Sequence, residues 1–279
     1  MIQTNHLSYS YIRKRKTLND INLRLEDGHI YGLLGKNGVG KSTLLKLLTG
    51  ALRGEGDCSI DGLDPRQRPA ELLEKFRLVP ENEAIPETTI LALAEVCKRL
   101  YPNFSEETLQ KALAEFEVPA TQRLTKMSLG QQKKSLISLS LACGTKYLFM
   151  DEPTNGMDIP SKATFRRIVA SALADSEQEQ KTVVVSTHQV DDLESLIDAI
   201  IIMENEGVLL TATLQEIGQR LCFGEAEEGD EVLYTEQTLH GKRSVMINRT
   251  GEEMPVDVKL LFSAVVKNPQ KFAAIFKAN

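Results

Sequence analysis

No run of about 18 consecutive apolar residues occurs in the 279-residue chain, so no segment qualifies as a membrane-spanning helix. The amino-terminal residues lack the apolar core of a secretory signal. The sequence therefore predicts a protein that neither crosses a membrane nor enters the secretory route. Cysteine is scarce: Cys58, Cys97, Cys143 and Cys222 are widely scattered and form no C-x-x-C pair. That usage fits a reducing cytosolic compartment, with the thiols serving as small apolar residues. A basic excess is also missing, because 33 Lys and Arg face 39 Asp and Glu for a net charge of −6. A dedicated nucleic-acid binder would show the opposite balance, so no nucleic-acid partner is expected. Repeats and low-complexity tracts are absent. What remains is ordinary: 42% hydrophobic and 26% charged residues, enough for a real core in one large domain or two small ones.

Short apolar runs alternate with longer amphipathic segments through the first three quarters. Ile30–Leu34, Tyr147–Met150, Thr182–Val185 and Ala199–Met203 are four or five residues long. Each is too short for a helix, and unbroken apolarity suits a strand covered on both faces of a parallel sheet. A helix is predicted from Ser161 to Leu173, with Ser161 as its N-cap. Residues 88–124 carry two helical patterns and no strand. The second is capped at Ser105, with Glu106 and Glu107 in its first turn, so the stretch reads as a helical insert. The basic run Arg13–Lys16 reads as a solvated hairpin turn. Beyond about Arg220 the texture changes. An acidic, Gly-containing linker (Gly224–Asp230) precedes two strand-like segments, Glu231–Thr235 and Ser244–Asn248, turned at His240–Lys242, and a helical pattern from Val256 to Lys267.

Gly35-Lys36-Asn37-Gly38-Val39-Gly40-Lys41-Ser42 satisfies G-x-x-x-x-G-K-[ST] at every fixed position, followed by Thr43 and a helical run to Leu48. Chance would supply those four positions in roughly one chain of this length in a hundred, and the strand–loop–helix setting makes coincidence rarer still. Such glycines let backbone N–H groups curl around phosphate oxygens, and the helix start adds a positive dipole end. Lys41 would neutralise the β- and γ-phosphates, and the Ser42 hydroxyl would hold Mg²⁺. The strand Tyr147–Met150 ends in Asp151-Glu152-Pro153. Asp151 lies where a phosphate-loop protein holds its Mg²⁺, and Glu152 is placed to polarise an attacking water.

Ser128-Leu129-Gly130-Gln131 precedes a helical pattern from Lys133 to Cys143, just upstream of that acidic strand. With Asn155-Gly-Met-Asp158 and Ser186-Thr187-His188 following in order, residues 1–215 resemble the ATP-binding cassette (ABC) ATPases. The resemblance implies an α/β P-loop NTPase fold: a mostly parallel core sheet, an N-terminal antiparallel β subdomain and a helical insert, here with a small α+β C-terminal appendage. It places the ATP-binding domain at 1–220, its helical subdomain at about 82–128, and the appendage at 221–279. It implies that Ser128, Gly130 and Gln131 grip the γ-phosphate of ATP held by the opposite subunit. Glu152 resembles the catalytic base, and His188 the histidine that contacts the γ-phosphate. Asn155 and Asp158 look like the loop that meets its counterpart across a dimer. The family stacks an aromatic ring on adenine where this chain has Leu7-Ser-Tyr9-Ser-Tyr11, and Tyr11 is favoured over Tyr9.

Two positions depart from the family pattern. Glu81 stands where most members have Gln, and a carboxylate there can still ligate Mg²⁺. Leu129 stands where many have Gly, which is tolerable if Gly130 is the glycine facing phosphate. Both departures resemble the cytosolic subunits of bacterial ABC-2-type exporters. The resemblance thus implies an ATPase on the cytoplasmic face of the membrane, pairing as a homodimer or with a second cassette and docking on a separate transmembrane permease. The alternative is a soluble, non-transport ABC ATPase of the cofactor-assembly scaffold type.

Overall fold

The computed structural model describes residues 1–12, 15–82, 84–174, 180–239 and 241–276. Arg13 and Lys14 of the basic turn, and His240 of the C-terminal turn, lie outside the described residues. The chain opens with strands β1 (Ile2–Tyr9), β2 (Leu18–Leu25) and β3 (Ile30–Leu34), then helix α1 (Lys41–Leu48) and strand β4 (Glu55–Ile60). A short helix α2 (Ala70–Leu73) leads into β5 (Phe76–Val79). The helical insert follows as α3 (Ile90–Leu100) and α4 (Glu106–Glu115), and α5 (Leu129–Ala142) returns the chain to β6 (Tyr147–Asp151). Helix α6 (Ile159–Ala174) precedes β7 (Thr182–Thr187), β8 (Ala199–Glu204), β9 (Gly207–Thr213) and α7 (Leu214–Arg220). The tail comprises β10 (Leu221–Gly224), β11 (Val232–Thr238), β12 (Gly241–Ile247), α8 (Val258–Lys267) and α9 (Pro269–Phe276).

The core sheet has the order β5-β6-β7-β3-β8-β9, parallel throughout except for β9, which runs back against β8. Every residue of β6 and β7 is buried, the apolar runs Tyr147–Met150 and Val183–Val185 filling both faces while Asp151 and Ser186 bond to each other. Period-2 alternation sorts their side chains between two layers. Tyr147, Phe149, Val184 and Ile201 join α1 and the antiparallel sheet β2-β1-β4 on one face. Leu148, Met150, Val183, Val185 and Ile200 join the helical insert and α6 on the other. All four cysteines are free thiols; Cys58, Cys97 and Cys143 are buried within these apolar layers.

Several boundaries differ from the sequence expectation. The core sheet has, beyond the four apolar runs read from the sequence, the additional strand β9. Helix α5 starts at Leu129, a turn before Lys133, because Ser128 and Gln131 form a reciprocal capping box. Helix α6 is capped by Asp158, whose Oδ1 accepts the Ser161 N–H at 2.9 Å, so Ser161 lies inside the helix. In the tail, β10 and α9 join the predicted strand pair and helix. The sheet β10-β12-β11 stays antiparallel, while Leu261, Val265 and Phe272 enter the same apolar cluster as Ile200 and Leu210 of the core sheet. Among the described residues the tail's buried apolar side chains join the core-sheet cluster and form no separate core.

A polar knot closes the opposite end of the sheet. Asp61 accepts from the Tyr147 hydroxyl at 2.6 Å, the Met1 amino group at 2.9 Å and Lys146 Nζ at 3.0 Å. Burial alone would raise the Asp61 carboxyl, but these donors outweigh it and hold its pKa well below the usual carboxylate range. A depressed folded-state pKa contributes stability that is complete above the unfolded value of about 3.9 and fades as pH falls toward the folded one. Asp61→Asn keeps the turn, since Asn tolerates the positive φ of 51° found there. With about 1.5 kcal/mol at stake, it should lower Tm by about 3–6 °C at neutral pH. Melting curves taken at successively lower pH should show the wild-type and mutant Tm values converging below about pH 4. A gap that stays constant into acid would mean the charge contributes nothing.

Candidate functional site

Four neighbouring parallel strands deliver the site from their carboxyl ends, where open α/β sheets bind ligands. β5 is followed by Glu81, β6 by Glu152, β7 by His188, and β3 by the loop from Gly35 to Gly40. They face a cleft of about 450 Å³ whose lining includes Tyr11, Lys41, Ser42, Glu81, Glu152 and His188. Asn37, Gly38, Gly40, Thr43 and Asn155 complete the set of sequence-predicted residues lining it.

Gly38 and Gly40 have φ values of 85° and 106°, which L side chains rarely adopt. A Cβ on Gly40 would also lie 2.6 Å from Leu18 Cδ2. The bare backbone therefore turns tightly into α1, whose N-terminus has no side-chain cap and no acidic residue in its first turn. Its first N–H groups have no partner within the helix, and an anion would satisfy them. The flanking loop residues contribute backbone alone. Lys36 turns its side chain to Glu204 at 3.0 Å, and Val39 packs on the apolar layer beneath.

The Lys41 ammonium is almost completely enclosed. It donates to the carbonyl oxygens of Gly35 (2.7 Å) and Lys36 (3.2 Å) and lies 3.4 Å from Glu152 Oε1. That oxygen is buried and has no hydrogen-bond partner of its own. The other carboxylate oxygen, Oε2, meets His188 Nδ1 at 2.9 Å. Glu152 has a φ of 46°, a strained position for a side-chain-bearing residue and one that turns its carboxylate out of the strand direction. Its N–H is held by Ser186 Oγ at 3.0 Å, and its carbonyl by Lys133 Nζ at 3.4 Å. Ser186 Oγ donates in turn to Asp151 Oδ1 at 2.6 Å. Ser186 and Lys133 shape the site although the sequence assigned neither a role, Ser186 entering only as part of Ser186-Thr187-His188. For Ser186 the available signal was a hydroxyl inside an apolar strand, which must find a buried partner.

Asp151 is buried behind the cleft and lines an adjoining apolar groove of about 340 Å³ together with Leu129, Gly130 and Leu136. Glu81 and Asn155 border both cavities, and Asn155 Nδ2 donates to Glu81 Oε1 at 3.1 Å. Thr43 Oγ1 donates to the Tyr11 hydroxyl at 3.3 Å, which seats that ring at the rim. Tyr9 stands edge-on behind it at 4.9 Å between centroids and does not line the cleft. Ser128, Gly130 and Gln131 open α5 outside the phosphate-loop cleft, and Asp158 is exposed at the start of α6. One chain therefore assembles the phosphate loop with Glu152 and His188, but not with Ser128–Gln131.

Such a strand-end cleft around a phosphate loop defines a nucleotide-binding α/β protein. Residues 18–155 match the family described as ABC transporter. The Geobacter sulfurreducens protein GSU3001, which carries the name of an ABC transporter ATP-binding protein, is 30% identical over 195 residues, 66% of this chain and 68% of that one. The Bacillus subtilis ABC transporter ATP-binding protein YtrB is 28% identical over 219 residues, covering 78% and 73% of the two chains. Among solved structures, the dimeric bacterial ABC transporter cassette MJ0796 shares the fold with a TM-score of 0.66 at 22% identity, covering 76% of this chain and 98% of that one. This chain belongs to the ABC transporter family and is an ATP-binding, ATP-hydrolysing cassette of it.

The family uses ATP with Mg²⁺. Among the described residues no group of three or more His, Cys, Asp or Glu could hold a metal by itself. Mg²⁺ suits such a site, because it binds through one or two carboxylates, waters and the substrate's own phosphates. Among the described residues no helix is long and apolar enough to cross a membrane.

Proposed function

We propose that this chain is the ATP-hydrolysing subunit of an exporter of the ABC-2 type, peripheral on the cytoplasmic face of the membrane and coupled to a separate transmembrane permease. The observation that carries the reading is the half-built site. The phosphate loop, Glu152 and His188 converge on one cleft, while the exposed amino-terminal turn of α5 points its capping residues elsewhere. A second cassette, identical or different, would bring its Ser128, Gly130 and Gln131 over the γ-phosphate, and Asn155 and Asp158 would lie along the seam. ATP binding would then close the dimer, and hydrolysis would reopen it.

In this reading Tyr11 stacks on adenine, and the loop from Gly35 to Thr43 holds the phosphates. Ser42, Asp151 and Glu81 would hold Mg²⁺, which when bound supplies positive charge to the β- and γ-phosphates. Lys41 exchanges its contact with Glu152 for the phosphates. That exchange leaves Glu152 Oε1 free to take a proton from the attacking water, and His188 bonds the γ-phosphate. Residues 1–220 form the catalytic domain, with its helical subdomain at 82–128. Residues 221–279 are a stabilising or regulatory appendage, consistent with α8 and α9 lying on the core sheet. The exporter assignment is supported by Glu81 and Leu129.

Affinity purification of the tagged full chain from detergent-solubilised membranes tests the coupling. A multi-span membrane polypeptide should copurify in stoichiometric amount and should raise ATP turnover on reconstitution. Recovery from the soluble fraction alone, bound to other soluble proteins, would favour the scaffold-type ATPase instead.

A further inference from the structure

Asp192 closes the 3₁₀ turn Val190–Asp192, four residues beyond His188, and is only 7% exposed. Its carboxylate is fully engaged. The Lys162 ammonium lies 2.8 Å from each oxygen, and Thr154 Oγ1 donates to Oδ2 at 2.8 Å. Thr154 is itself 1% exposed and stands two residues beyond Glu152, while Lys162 belongs to the first turn of α6. One buried carboxylate thus ties together the turn after β6, the loop after β7 and the start of α6.

We infer that Asp192 is a positioning residue for ATP hydrolysis, clamping through Thr154 the turn that carries Glu152 to the loop that carries His188. The inference rests on the proposed roles of Glu152 and His188. Both residues lie just past the ends of their strands, the last β6–β7 ladder bond running from the Glu152 N–H to the Ser186 carbonyl at 3.2 Å, so beyond it side-chain contacts must fix the two turns. Glu152 in addition holds a positive φ, which persists only where surrounding contacts over-determine it. A buried ion pair is a poor means of adding stability, since an apolar group of similar volume would serve as well. What the carboxylate supplies is direction: it accepts from one donor on the Glu152 turn and another on α6, each at 2.8 Å. The 2.9 Å contact between Glu152 and His188 is set between these anchored segments.

Thr154→Val tests the clamp, because it deletes one hydroxyl while keeping side-chain shape and leaving the Lys162–Asp192 pair intact. Misplacing a catalytic group by about an ångström can cost up to 10²-fold in rate, so kcat should fall about tenfold or more. KM and the affinity for a fluorescent ATP analogue should stay within about threefold, the pattern of an interaction felt in the transition state. Thr154→Ser, which restores the hydroxyl, should recover most of kcat. In a Glu152→Gln background Thr154→Val should change the residual turnover no further, since the group it positions is gone. Wild-type kcat in Thr154→Val, beside an inactive Glu152→Gln, would overturn the clamp alone. The same holds if Thr154→Ser and Thr154→Val are equally slow. Wild-type turnover in Glu152→Gln would overturn the hydrolytic assignment, and the clamp with it.

Discussion

Glu152→Gln should bind ATP normally, turn it over at least about 10²-fold more slowly than the wild type, and accumulate as an ATP-bound dimer. Gln keeps the volume and hydrogen-bonding shape of Glu152 but cannot accept a proton from water, and general-base catalysis is worth about 10²–10⁴-fold. ATP affinity should not fall, for a reason visible in the geometry. In the structure Glu152 Oε1 faces the Lys41 ammonium at 3.4 Å, so the carboxylate competes with the phosphates for that cation. Removing its charge frees Lys41 for the nucleotide. The dimer follows from the half-built site, because each ATP needs the phosphate loop of one chain and residues 128–131 of another. Light scattering with Mg-ATP should therefore shift from the 31.0 kDa monomer to twice that mass. A variant that stays monomeric at saturating Mg-ATP would sink the two-chain site, and one that keeps wild-type turnover would remove Glu152 as the base.

How much of this was legible in the residues depended on whether local pattern and tertiary role agreed. At the phosphate loop they agree: the glycines that the backbone turn demands are the same ones the chemistry demands, so position and function read together. The four apolar runs of the core were equally plain, because burial on both faces leaves few polar positions to confuse the period. At Ser128–Gln131 one set of residues does two things. The pattern S-x-x-Q is a capping box as well as a signature, and reading it only as chemistry placed the start of α5 a turn too late. The hairpin into β9 was hidden for a different reason. A two-residue turn of this kind needs two consecutive positive φ values, usually supplied by Asn-Gly. Here Asn205 and Glu206 supply them, at 47° and 68°, and the glycine comes one residue later. The Thr154–Asp192 bond could not be seen at all, since it joins positions 38 residues apart and neither belongs to a local motif.

Lys41→Ala should abolish ATP binding at micromolar nucleotide. The ammonium is the only Lys or Arg side chain in the lining of the phosphate-loop cleft, among the described residues. Hydrogen bonds to charged groups contribute about 1.5–3 kcal/mol each, so losing two toward the phosphates weakens binding by about 10²-fold or more. The substitution also strands a buried carboxylate. Without Lys41, Glu152 keeps only the His188 contact on Oε2, while Oε1 loses the ammonium 3.4 Å away and has no hydrogen bond, so its negative charge then repels the incoming phosphates. That second effect makes a control necessary, because an unpaired buried charge also destabilises the fold. The double variant Lys41→Ala/Glu152→Gln separates the two. It should regain the Tm lost by Lys41→Ala, since no charge is left stranded, yet it should still fail to bind ATP in equilibrium titration, since the uncapped start of α1 cannot by itself replace the ammonium. If the double variant binds ATP like the wild type, repulsion by Glu152 caused the defect, and Lys41 acts only by neutralising it.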